Sequence, residues 1–187
     1  MSTSLELSLD QYAKMVERGA FDHLSKKIEL IRGKIRQTNP AGPVHDDLIA
    51  YLTAWCFRAI DPSTTSIRVQ TGLDLAGAQS RPEPDLMWVK AGRYTERHPT
   101  AADVELAIEV ADSSLQGDLS EKALLYAEVG VTEYWVVDVR SRCIHVYRKP
   151  HSIDGYQDRG VFKAGETLGP ASPRCNDALE IAELFDY

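Results

Sequence analysis

The run VELAIEVADSS, residues 104–114, constrains the chain more than any other segment. Its residues alternate, so a strand here puts Val104, Leu106, Ile108 and Val110 on one face and Glu105, Ala107, Glu109 and Ala111 on the other. So apolar a strand belongs inside a sheet, yet Glu109 stands within it, flanked on its face by Ala107 and Ala111. Small neighbours leave room around a carboxylate, and a buried ionised acid needs a cation, a metal or hydrogen bonds to offset its lost hydration. Two readings follow: a structural acid at the wet end of the strand, capping a helix or pairing with an arginine, and a functional acid.

A second acid bears on the choice. In RPEPDLMWV, residues 81–89, Asp85 follows Pro84 at the mouth of another apolar strand. By itself an acid beside proline is an ordinary turn residue. If strand 85–89 lies beside strand 104–111, however, the two carboxylates converge on one divalent cation, which seeks hard oxygen ligands.

The remaining pattern frames these strands. SLDQYAKMVERG, residues 8–19, predicts a short amphipathic helix capped by Ser8 and stopped at Gly19. KIELIRGKIRQT suggests a hairpin turning at Arg32-Gly33 with Glu29 on its first arm. After a loop with Pro40 and Pro43, a long helix opens at His45, Asp46 and Asp47 and ends before Pro62. Alternation from Ile67 to Leu75 predicts one strand, or two broken near Gly72. A helix over 119–129 is followed by strands TEYWVVDV and CIHVYRK, joined at Arg140-Ser141-Arg142, then by a strand over 155–162 and a last helical turn in ALEIAELF. This order describes an α/β fold around a mixed sheet flanked by helices. No glycine-rich phosphate loop is present, which argues against the common nucleotide-binding folds.

Placed on a 3.6-residue wheel, residues 119–129 carry Lys122 inside their apolar face, while Glu121 and Glu128 point away. A lone lysine there snorkels its stem along the core. Beside two converging carboxylates it becomes a group for orienting water or stabilising charge on a phosphorane. Asp118, four residues earlier, reads as a helix-start acid.

With 187 residues, 43% hydrophobic and 26% charged, the chain suits one soluble globular domain. The opening MSTSLELSLDQY lacks the pattern of a signal peptide and no apolar run reaches the ~18 residues of a membrane span, so a cytoplasmic protein with no membrane partner is expected. Cys56, Cys143 and Cys175 form neither a CxxC pair nor a disulfide framework, which argues against a structural zinc site. The net charge of −7 speaks against non-specific coating of nucleic acid but leaves a nuclease open, because metal-binding carboxylates are themselves acidic. A basic stripe between Lys26 and Arg36 reads either as a nucleic-acid contact or as a solvated hairpin.

The segments KIELIRGKI, the following PVH, RPEPDLMWV, LAIEVADSS and GDLSEKALLYAEVGVTEYWVVD together resemble the Uma-type restriction endonucleases, a bacterial family of the PD-(D/E)XK nuclease superfamily. The likeness spans about residues 8–150 and implies one nuclease-like domain over 1–187, with 151–187 as a C-terminal extension and a restriction-endonuclease-like core. On it, Asp85 and Glu109 match the motif acids. The lysine expected two residues after the glutamate is replaced by Ala111, and Lys122 on the next helix takes its place. Glu29 matches the family's N-terminal glutamate and His45 the histidine opening the long helix. The resemblance implies Mg²⁺- or Mn²⁺-dependent hydrolysis of phosphodiester bonds in nucleic acid, with DNA the expected substrate. Asp85, Glu109, the Val110 carbonyl and Glu29 would hold metal, Lys122 would act on the water or the developing charge, and His45 would touch substrate or move a proton. A catalytically idle nuclease-fold binding or scaffold module stays open beside this, as does a metal-dependent hydrolase of another substrate. The apolar strands Tyr134 to Val139 and Ile144 to Tyr147 are open to two readings, core or the face of a homodimer.

Overall fold

Six strands form the central sheet of the computed structural model, which describes residues 5–24, 27–38 and 42–187. They run in the order β3 (Thr65–Val69), β4 (Leu86–Lys90), β5 (Val104–Ala111), β6 (Glu133–Asp138), β7 (Cys143–His151) and β8 (Gly155–Lys163). Neighbours are antiparallel except β5 and β6, which are parallel. A parallel pair needs a crossover, and the helical segment between them supplies it. The sheet is therefore mixed, as expected, and strands 4 and 5 are adjacent with Leu86 opposite Ile108.

One face is packed by α2 (Pro43–Ala59), whose Trp55 lies between Trp88 of β4 and Trp135 of β6 at ring-centre distances of 5.6 and 5.8 Å. The Trp88 indole donates to Cys56 Sγ at 3.0 Å, so even its polar edge is satisfied within the core. The helix begins two residues earlier than His45, at Pro43, because proline at the first helical position has no amide to leave unpaired. On the opposite face Tyr126 and Tyr134 meet edge-on at 4.8 Å, with Tyr147 and Tyr156 beside them.

The first helix, α1 (Leu9–Glu17), carries the expected Ser8 cap, completed by Gln11 reaching back to the Ser8 amide. The hairpin of β1 (Ile28–Ile31) and β2 (Lys34–Gln37) turns on Arg32 and Gly33 at φ +49° and +74°, the left-handed pair of a two-residue turn. A side chain at Gly33 would also strike Glu6 Cβ at 2.9 Å, so both the turn and the close approach demand glycine. Lys26, part of the basic stripe, and Pro40 lie outside the described residues.

Three expectations change. The segment expected over 67–75 as one strand, or two broken near Gly72, is a strand only to Val69, where Gln70 turns the chain at φ +49°; past the break only isolated bridges form, at Asp74 and Leu75. The helix expected over 119–129 starts earlier and is not uniform: α3 (Leu115–Gly117) passes through a wide π turn, Asp118–Lys122, into α4 (Ala123–Glu128). The last segment pairs β9 (Thr167–Leu168) with β10 (Leu179–Glu180) before α5 (Ile181–Leu184), and Leu168, Leu179 and Ile181 are buried in the α2-side core. The chain after residue 150 thus supplies the edge strand β8 and part of the core. Strands β6 and β7 lie inside the sheet with Tyr134, Trp135, Val136 and Val137 fully buried, so packing within one chain accounts for their apolar character. Among the described residues no helix is long and apolar enough to cross a membrane.

Candidate active site

At the carboxyl ends of β5 and β6 the sheet opens into a cavity of about 820 Å³ lined by Glu29, His45, Asp85, Glu109, Val110 and Lys122, among others. Parallel strands leave such a crevice where their connections diverge. All of the residues singled out from the sequence therefore reach one pocket, from five different elements.

Asp85 stands just before β4, 6% exposed. Pro82 and Pro84 carry no amide, so the approach to the strand needs fewer backbone partners in its crowded position. Where the β4 ladder stops, the Asp85 carboxylate takes over: Oδ2 accepts from the Val110 amide at 2.9 Å and faces His45 Nε2 at 3.5 Å. Gln70 holds the residue from behind, its amide donating to the Asp85 carbonyl at 3.0 Å and its side chain to Oδ1 at 3.4 Å. Burial pushes the Asp85 carboxyl up, but the His45 hydrogen bond and the Val110 amide outweigh it and hold the group below the usual carboxylate range. The same contact raises His45 against the opposing effect of burial, so the pair favours carboxylate and imidazolium.

Glu109, 5% exposed, accepts from Lys122 Nζ at 2.9 Å and from the Tyr126 hydroxyl at 3.2 Å, both on Oε1. Glu29 Oε1 accepts from the same ammonium at 3.2 Å and from the Glu83 amide at 2.7 Å, which ties β1 to the proline-flanked loop. Lys122 therefore bridges the hairpin and the sheet. Its charge is favoured by Glu109, Glu29 and Asp118, which overcome a large desolvation penalty and raise it well above a free lysine. Burial pushes the Glu109 carboxyl up to about 8, with Lys122 acting in the other direction.

Asp118 corrects the reading from the sequence. It is not at a helix start but in the π turn, buried, with Oδ1 3.8 Å from Lys122 Nζ. An added residue per turn is a common device for turning side chains into a site. Asp118, Lys122 and Tyr126 recur every fourth residue and so stand on one stripe facing Glu109. Gln70 and the Tyr126 hydroxyl are the partners that sequence reasoning missed, and Asp118 the one it assigned to a helix start. A positive φ at a non-glycine residue beside a buried acid marks Gln70, but nothing in its neighbours announces that angle.

The acids do not close on one another. Among the described residues, no three acids or histidines of this cavity bring ligand atoms within 4.8 Å of each other; the carboxylates instead surround an ammonium. Their donor chemistry, carboxylate oxygens around a resident cationic group, fits a hard divalent ion. Farther out, Asp46, Glu83, Asp112 and Glu121 outnumber Lys27 and Arg36 on the cavity wall.

A six-stranded mixed sheet flanked by helices is the fold of a restriction-endonuclease-like protein. Comparison of the sequence with known families matches residues 9–174 to the Uma2 profile, described as "Putative restriction endonuclease". The chain belongs to that Uma-type family. A search of curated proteins found no match. Among solved structures, a "putative nuclease belonging to DUF820" from Anabaena variabilis superposes with a TM-score of 0.73 at 19% identity, covering 96% of this chain and 97% of its own. That likeness supports the fold.

Proposed function

We propose that the chain is a metal-dependent endonuclease hydrolysing phosphodiester bonds in DNA, with Mg²⁺ or Mn²⁺ held by Asp85 and Glu109, the Val110 carbonyl and Glu29. The observation that carries this reading is the single ammonium, Lys122, enclosed by Glu29, Glu109 and Asp118 in a cavity open to solvent. A structural ion pair needs one acid per cation. The surplus of acids around Lys122 would repel a phosphodiester unless further cations neutralise it.

When bound, the ion supplies Lewis acidity, polarising the phosphoryl group and making water a better nucleophile. The protein's part is positional. The Val110 amide and His45 keep Asp85 ionised and oriented, so one carboxylate is ready as an oxygen donor without rearrangement. Glu29, fixed by the Glu83 amide, turns Oε1 toward the lysine. Lys122 holds its proton, which suits it to orient water or neutralise charge developing on phosphorus. His45 lines the same cavity against Asp85, where it would touch substrate or assist proton transfer. The same reading takes residues 1–187 as one nuclease domain acting in the cytoplasm. If two copies act together on two strands, they meet through a surface other than β6 and β7, which the core occupies.

Nicking of supercoiled plasmid by purified protein tests the reading, with Mg²⁺, Mn²⁺ or EDTA and with Asp85→Asn in parallel. Cleavage is expected with either ion, none with EDTA and none from the variant. Cleavage that persists in both controls removes the site, and failure to cut any nucleic acid leaves an idle binding module on a nuclease fold.

A further inference from the structure

A second cluster lies across the sheet, where β6 returns as β7. Asp138 ends β6 directly opposite Cys143, the first residue of β7, and His145 follows two residues on. Side chains alternate along a strand and align across a ladder, so the three project from one face. Asp138 and Cys143 are each 3% exposed, and the His145 side chain is 23% exposed.

The carboxylate is oriented by the turn. Asp138 Oδ1 accepts from the amides of Arg140 and Ser141 at 3.0 and 2.9 Å, which leaves Oδ2 facing His145 Nε2 at 3.8 Å. Cys143 Sγ is 3.7 Å from the same nitrogen, and the three ligand atoms lie within 4.8 Å of one another. A tetrahedral ion with nitrogen and oxygen at about 2.0 Å and sulfur at about 2.3 Å needs roughly 3.5 Å between sulfur and nitrogen and roughly 3.3 Å between nitrogen and oxygen, so the 3.7 Å and 3.8 Å spacings each close by about half an ångström or less on binding.

We infer that Asp138, Cys143 and His145 form a binding site for a zinc-like divalent transition ion, separate from the carboxylate cavity. Sulfur, imidazole nitrogen and one carboxylate oxygen suit a borderline ion such as Zn²⁺ and are a poor set for Mg²⁺. The exposed edge of His145 leaves a direction for water as fourth ligand. Burial and Asp138 push the Cys143 thiol up, against Lys163 opposite it in the ladder, so an ion bound there displaces the thiol proton. The site would tie the two ends of the 139–142 turn together. That turn adjoins β5 through the Val139 amide, which donates to the Ala111 carbonyl at 3.1 Å, and through the Arg140–Asp112 ion pair at 2.6 Å. Val139 and Asp112 both line the carboxylate cavity, so the ion would brace its rim. Spacing rules for cysteine do not reveal this site, because its ligands are gathered by a hairpin register rather than by a CxxC repeat.

The test uses the full chain carrying Asp85→Asn and Glu109→Gln, so that the cavity does not compete for metal. After dialysis against zinc in excess Mg²⁺, one zinc per chain is expected, and Co²⁺ should give the thiolate-to-cobalt charge-transfer absorption. Adding Cys143→Ser or His145→Gln should weaken zinc binding at least tenfold and abolish that absorption, while Cys175→Ser changes neither. X-ray absorption of the zinc-loaded parent should show one sulfur near ~2.3 Å among lighter ligands at about 2.0 Å, a readout that needs no variant to fold. Cobalt binding without the thiolate band, a sulfur-free zinc shell, or zinc retained equally by Cys143→Ser overturns the site.

Discussion

Two buried glutamates occupy neighbouring parallel strands, and they live under opposite conditions. Glu133, at the start of β6 and 2% exposed, is saturated by structural partners: Arg148 and the Trp135 indole on Oε1, at 2.8 and 2.7 Å, and the Ala171 amide on Oε2 at 2.6 Å. Glu109, near the end of β5, meets one ammonium that it shares with two other acids, and a tyrosine hydroxyl, at the wall of a cavity. Burial and charge type are nearly identical in the two. What separates them is the ratio of donors to acids, and that ratio marks the site better than burial does.

The largest effect should fall on the site acid. Glu109→Gln should slow plasmid nicking by about 10³-fold, close to 4 kcal/mol, while thermal unfolding stays near that of the parent. Loss of folding without a specific loss of rate would make Glu109 a second Glu133. The converse change sharpens the contrast: Glu133→Ala strands Arg148 and should cost about 3 kcal/mol of stability, read by denaturant melting, with the rate per folded molecule unchanged. Lys122→Met follows, with a loss of about 10²-fold in nicking and Mg²⁺ affinity retained in calorimetry. An unchanged rate would remove the lysine from the chemistry.

The smallest effect is in pH. Burial pushes Glu109 up to about 8 in the metal-free chain, so below that range a proton competes with an incoming ion for the carboxylate that Lys122 otherwise pairs. Mg²⁺ affinity should therefore rise with pH, by at most about tenfold per unit, and level off above about 8. An affinity already flat from mildly acid pH upward would show that Glu109 gives no proton up on binding.

Much of this arrangement is legible in the sequence. Alternation fixed β5 and the face of Glu109, the apolar run after Pro84 gave β4, and the helical wheel turned Lys122 inward. These are local patterns of period two or near 3.6, which single sequences carry well. Three features escaped. The π turn breaks the assumed period at Asp118, so a buried acid looked like a helix start. Gln70 bends the chain through an angle that its side chain does not advertise, and the strand expected through Leu75 stops there. Glu133 sits in a strand whose pattern displays only its apolar and aromatic residues, since Arg148 and Ala171 reach it through pairings that the sequence does not display.

The wide turn also has a mechanical meaning. Glu29, Asp85 and Glu109 are anchored to a hairpin and the sheet, whereas Asp118 and Lys122 lie on a segment whose winding depends on a single surplus residue. Removing one residue between 118 and 122 would restore ordinary winding and swing everything before it by about 100°, carrying Asp118 out of line while β5 stayed where it is. The wide turn thus sets where Asp118 falls relative to Lys122, an adjustment that a lysine at position 111, locked in the strand, would not offer.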